Sequence, residues 1–150
     1  MNAEEMIHIL LVEDDDVDVR AMQRSFRKAG IEHPVVVARD GVEALDVLRG
    51  SNGADKVPRP YLVLLDLNMP RMSGIEFLGE LRADPEIRDS IVFVQTISDA
   101  DTDKAEAYRH NVSGYLLKEG ASGGFDRLAA LLNEYFVSIE FPPQKPRSAA

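Results

Sequence analysis

Residues 61–66 read Tyr-Leu-Val-Leu-Leu-Asp. A short apolar run rich in branched side chains and closed by a carboxylate has the form of a strand buried on both faces. Similar runs recur at residues 7–12, 35–38, 91–94 and 115–117. They are continuous rather than alternating, unlike a strand with one face in water. Stretches of helical period lie between them. Val19, Met22, Phe26 and Ala29 recur at helical spacing and stop at Gly30. Val42, Leu45 and Leu48 end at Gly50, and Ile75, Leu78 and Leu81 follow Ser73, a residue suited to cap a helix N-terminus. Ser122 is placed to cap a last helix carrying Phe125, Leu128, Leu132 and Tyr135. Residues 99–110 make the weakest helix, because their apolar content is mostly Ala100, Ala105, Ala107 and Tyr108.

Strands that alternate with helices need crossovers, and right-handed crossovers wind helices onto both faces of a parallel sheet. The predicted fold class is α/β, a doubly wound five-stranded parallel sheet of order 2-1-3-4-5. Sites in such sheets lie beyond the carboxyl ends of the strands, near the switch point. The first strand runs into Glu13, Asp14, Asp15 and Asp16, the third into Asp66, the fourth into Thr96 and the fifth into Lys118. These are the residues that the fold should gather at one edge.

Two segments fall outside the repeat. Residues 51–60 form a polar connection containing proline, longer than most loops. After residue 136, Val137, Ile139 and Phe141 alternate with Ser138 and Glu140 before Pro142 and Pro143. The expected organisation is one domain over 1–136, then an extended arm and a disordered end over 137–150.

A chain of 150 residues, 45% hydrophobic and 29% charged, fits a single globular domain with a real core. It has no cysteine, which excludes disulfides and Cys-ligated zinc. No apolar run is long enough to span a membrane, and the first residues lack the basic segment and cleavage site of a secretory signal. A cytoplasmic address with no membrane partner is expected. The formal net charge of −9 disfavours nucleic acid as a partner.

Carboxylates gathered at close range repel one another, and a divalent cation removes that cost. A few oxygen ligands with open positions for water and phosphate suit Mg²⁺. Asp14 and Asp66 are the expected direct ligands, with the backbone carbonyl of Asn68 as a third and Glu13 acting through water. The same setting makes Asp66 a candidate nucleophile that forms an acyl phosphate. Lys118 would neutralise the phosphoryl oxygens and the Thr96 hydroxyl would donate to one of them. The bland readings are specific too. An acidic run such as residues 13–16 is often a solvated helix start favoured by the macrodipole. Asp14, Asp16 and Asp18 have part of a calcium-loop spacing, but Val19 and Ser25 stand where that loop needs Gly and Glu. His8, His33 and His110 show no ligand spacing.

The strand-end set, read with its neighbours, resembles bacterial two-component response-regulator receiver domains over about residues 6–136. The matching pieces are ILLVEDD at 9–15, LLDLNMPRMSG at 64–74, VQTIS at 94–98 and GYLLK at 114–118. The Asp-x-x-Met-Pro stretch from Asp66 to Pro70, followed by Ser73 and Gly74, is specific in combination. The resemblance implies a flavodoxin-like receiver fold and phosphoryl transfer to Asp66 from a sensor histidine kinase or a phosphotransfer protein. It implies Mg²⁺ at Glu13, Asp14, Asp66 and the Asn68 carbonyl, and phosphate contacts from Lys118 and Thr96. It also implies a switch in which Thr96 moves toward the phosphate and the ring of Tyr115 turns inward behind it. Such a chain is a phosphoacceptor that assists its own phosphorylation and dephosphorylation, not an enzyme acting on other substrates.

The chain departs from the family pattern at two positions. Glu119 stands where most receivers have proline after the lysine, so a trans Lys118–Glu119 bond is expected. Ile97 follows Thr96 where a small residue is common, and a branched side chain there should hinder water and prolong the phosphorylated state. The long connection at 51–60, ADPEIRDS at 83–90 and the Phe141-Pro142-Pro143 tail are similar to stand-alone regulators that partner bacterial phytochrome kinases. That likeness implies a homodimer through the face of helix 4, strand 5 and helix 5, with Val137, Ile139 and Phe141 as an added apolar arm. Output would then be by protein contact. The rivals are a phosphate relay or sink, and a Mg²⁺-dependent phosphohydrolase. The last wants a second carboxylate two residues after the nucleophile, where this chain has Asn68.

Overall fold

The structure, a computed structural model, describes residues 6–118 and 125–143. Its elements are β1 (His8–Val12), α1 (Asp16–Lys28), β2 (Val35–Ala38), α2 (Gly41–Arg49), β3 (Tyr61–Leu65), α3 (Gly74–Ala83), β4 (Ile91–Thr96), α4 (Asp101–Arg109), β5 (Gly114–Leu117) and α5 (Asp126–Ser138). All strand pairs are parallel and the sheet order is β2-β1-β3-β4-β5. The fold is the doubly wound, flavodoxin-like α/β architecture that the alternation of runs predicts.

The continuous apolar runs are explained by what covers them. Ile9, Leu11, Leu62, Leu64 and Phe93 pack against Val19, Met22 and Phe26 of α1 and Leu128, Leu132 and Phe136 of α5. Their neighbours Leu10, Val12, Val63, Leu65, Val92 and Val94 face the other way, onto α2, α3 and Ala107 of α4. Successive side chains point to opposite faces, so a strand covered on both sides is apolar along its middle, and the polar Gln95 and Thr96 come only where β4 ends. Burying each Leu or Ile stabilises the fold by about 1.5–3 kcal/mol relative to leaving it in water.

Short polar side chains set the helix starts. Asp15 accepts from the N–H groups of Val17 and Asp18, and Asp40 from that of Glu43. Ser73 and Glu76 form a reciprocal capping box at α3. At α4, Ala100 makes no side-chain cap among the described residues, and Ala107 is its buried residue. This helix is lightly held, in keeping with a charged sequence that offers few large apolar side chains.

The last helix differs from its expected bounds. It begins at Asp126, so Phe125 precedes it, and the proposed cap Ser122 lies outside the described residues. Glu119 and the end from Gln144 also lie outside them. The helix runs on to Ser138, where the Ile139 N–H donates to the Tyr135 carbonyl at 3.0 Å. Val137 and Ser138 are therefore helical, not part of an extended arm that starts after residue 136. Phe141 turns back onto the chain, 5.9 Å from the Tyr135 ring and 6.3 Å from that of Phe136. Val137, Ile139 and Phe141 thus do not form one extended stripe, because helix bonding continues through Val137 and aromatic packing draws Phe141 inward. No helix among the described residues is long and apolar enough to cross a membrane.

Candidate functional site

The register of β1 and β3 aligns the two buried carboxylates. Val12 is level with Leu65, so Glu13 and Asp66 follow the strands side by side. The Glu13 N–H donates to the Ala38 carbonyl at 2.9 Å and the Asp66 N–H to the Val12 carbonyl at 3.0 Å. The ladder thus fixes both backbones where the sheet ends.

The loop after Asp66 closes tightly on itself. The Gly74 N–H donates to the Leu67 carbonyl at 2.9 Å. A Cβ on Gly74 would stand 2.6 Å from the Asp66 carbonyl oxygen and 2.7 Å from Leu67 Cα, so glycine is required there. Arg71 takes a left-handed φ of 62° in the same loop, and its Nε donates to Asp40 Oδ2 at 2.7 Å. Burial alone would raise the Asp40 pKa, but the bonds from Arg71 and the Glu43 N–H outweigh it and hold the carboxyl below its ordinary value. The loop is thereby tied to the start of α2.

Lys118 follows β5, and its N–H donates to the Thr96 carbonyl at 2.8 Å. Its ammonium lies 2.8 Å from Glu13 Oε1, 2.8 Å from Asp18 Oδ2 and 3.4 Å from Asp66 Oδ2. Burial alone would lower its pKa, but Asp18, Glu13 and Asp66 overcome this and hold it charged, above the usual lysine range. Glu13 also accepts from Gln95 Nε2 at 3.0 Å and from the Asp15 N–H at 3.2 Å. Burial pushes the Glu13 carboxyl up to about 7 against the pull of Lys118, and the Asp66 charge pushes the same way.

Glu13, Asp14 and Asp66 each offer a carboxylate oxygen within 4.8 Å of the others. Asp14 is exposed while the other two are buried, so the group opens to water on one side. An all-oxygen set with an open side fits a hard divalent cation. Asn68 is exposed, and its N–H donates to Asp66 Oδ1 at 3.3 Å.

Thr96 is buried at the end of β4, and its Oγ1 accepts from the Ser98 N–H at 3.4 Å. The Tyr115 hydroxyl donates to the Ser98 carbonyl at 2.9 Å. Ser98 therefore touches both residues of the expected switch. Ile97 follows Thr96 and has 74% of its surface exposed. The structure thus brings Glu13, Asp14, Asp66 and Lys118 together, with Thr96 on the neighbouring strand. Val137, Ile139 and Phe141 are carried by α5 and the chain after it. Two partners of the cluster escaped the sequence reading. Asp18 lies in the first turn of α1, after the N-cap Asp15, and no sequence spacing links it to Lys118. Gln95 shows only as a polar residue closing an apolar run.

A parallel sheet of this order, with an acidic group and a lysine at its strand ends, defines a receiver domain. The response regulator receiver domain model matches residues 9–130, and the chain belongs to that family. Over 110 residues it is 37% identical to response regulator Rcp1 of Synechocystis sp., covering 73% of this chain and 75% of that protein. The crystal structure of the Mn²⁺-bound form of Rcp1 gives a TM-score of 0.81 at 30% identity, over 91% of this chain and 99% of that one. The phosphorylated cyanobacterial phytochrome response regulator RcpA gives 0.83 at 32% identity, over 93% and 100% of the two chains.

Proposed function

We propose that this chain accepts a phosphoryl group on Asp66 from a sensor histidine kinase or a phosphotransfer protein, and signals by protein contact. The observation that carries this reading is the Lys118 ammonium set among Glu13, Asp18 and Asp66 beside an open oxygen-ligand group. An Asp66 carboxylate oxygen bonds to phosphorus as the bond to the donor imidazole nitrogen breaks. The electron pair of that bond returns to the ring, which takes up a proton. Lys118 neutralises charge on the phosphoryl oxygens and the Thr96 hydroxyl donates to one of them. Glu13, Asp14, Asp66 and the Asn68 carbonyl would hold Mg²⁺, which supplies further neutralisation at the same oxygens. Water is needed for hydrolysis of the acyl phosphate, and Ile97 at the rim limits its entry.

The switch is Thr96 with Tyr115. Moving the Thr96 side chain toward the phosphate releases the Ser98 N–H, while the Ser98 carbonyl is held by Tyr115. A change at Thr96 thus reaches the lightly packed α4. The chain works as a homodimer through α4, β5 and α5, where Tyr108, Leu117 and Leu131 are exposed apolar residues. The likeness to RcpA favours a phytochrome-type kinase as the donor, and the site of action is the cytoplasm. The test is intact mass after treatment with acetyl phosphate and Mg²⁺. Wild type should gain one phosphoryl group and Asp66→Asn none; an unmodified wild type would overturn the assignment.

A further inference from the structure

Lys118 has as many carboxylate partners as it has N–H donors. Glu13 and Asp18 lie at 2.8 Å and Asp66 at 3.4 Å. If Asp66 is the phosphoacceptor, a phosphoryl oxygen replaces the long Asp66 contact, and to close on it the ammonium must be drawn away from one of its two nearer carboxylates. Glu13 is poorly placed to give way. Its side chain is 1% exposed and also holds Gln95 and the Asp15 N–H. Giving up Lys118 would cost it a hydrogen bond that water cannot replace in so buried a place. Asp18 is different. It sits in the first turn of α1 with its side chain 27% exposed, so water can replace the lysine.

We propose that Asp18 is a positioning residue that competes with the phosphoryl group for Lys118. In the unphosphorylated chain it holds the ammonium closer to itself than to Asp66. On phosphorylation it gives the ammonium up and turns to solvent. Its own charge repels a phosphoryl dianion, which acts in the same direction. Asp18 therefore opposes the phosphorylated state, whereas a residue needed to aim Lys118 would support it.

The sign of one substitution separates these roles. The affinity of the full chain for beryllofluoride, a phosphoryl mimic, is measured with Mg²⁺ by ¹⁹F NMR. Removing one partly exposed ion pair should tighten binding by about two- to fivefold in Asp18→Asn, and in Asp18→Ala as a second variant. Asp18→Glu, which keeps the charge and can still reach Lys118, should stay near wild type. Asp16→Asn removes a charge from the same turn but breaks a pair with Arg39 instead of Lys118. It should have a smaller effect. Weaker or unchanged binding in both neutral Asp18 variants would overturn the proposal, as would equal tightening by Asp16→Asn, which would reduce the effect to bulk charge. The inference rests on the Asp66 reading. A wild type that binds no beryllofluoride would overturn that reading, whereas a binding wild type with unshifted Asp18 variants would overturn only the role given to Asp18.

Discussion

Acidifying the metal-free protein should stabilise it through Glu13. Three carboxylates share one ammonium, and the excess charge is relieved by a proton. Burial places that proton on Glu13, whose pKa rises from 4.5 to about 7. Between those values the folded chain holds a proton that the unfolded chain has released. Stability from this group is therefore present in acid and is lost as pH rises through about 7. The shift corresponds to a ceiling of about 3 kcal/mol above that pH. His33 acts in the opposite sense. Burial lowers its pKa below 6.5, so its contribution is present above that value and lost as pH falls. Wild type alone would mix the two. Glu13→Gln separates them, because it keeps the side-chain shape and cannot titrate. The assay is urea unfolding in a chelator at pH 5 and pH 8. The stability of Glu13→Gln relative to wild type should grow by about 2–3 kcal/mol between the two pH values. A gap that is constant, or that shrinks as pH rises, would refute the reasoning.

Gly74→Ala should destabilise the chain by about 1–3 kcal/mol or more, because the added methyl meets backbone on two sides. It should also slow phosphorylation, since one of the displaced atoms is the Asp66 carbonyl oxygen; an unchanged urea midpoint would count against the collision. Ile97→Ala should speed spontaneous loss of the phosphoryl group severalfold, followed by intact mass over time, and equal rates would remove its role at the rim. Leu117→Arg places a charge on the exposed edge of β5 and should convert a beryllofluoride-activated dimer to a monomer in sedimentation. A wild type that stays monomeric under those conditions would discard the dimer.

The sheet was legible because strands covered on both faces are apolar along nearly their whole length, and the runs say so. The site was legible in part for a similar reason: a carboxylate that ends a buried strand stands out. Asp18 did not, because an aspartate in the first turn of a helix is already explained by the macrodipole. Its pairing with Lys118 depends on how α1 leans over the sheet, which no local pattern carries. Gln95 was hidden in the same way, its partner Glu13 being distant in sequence. The tail misled because Val137, Ile139 and Phe141 satisfy a period of two, yet helix bonding carried the chain through Val137 and Phe141 found a surface on Tyr135 and Phe136.

Glu13 and Asp66 follow strands with neighbours on both sides, whereas Lys118 follows β5, which is paired on one side. The sheet thus divides into an interior that fixes the backbone of Asp66 and a margin whose outward residue Leu117 takes no part in holding it. Exchanging Leu117 alters the exposed edge without disturbing how Asp66 is held. The chemistry of that exposed margin can thus vary with little redesign of the strand ends that hold Glu13 and Asp66.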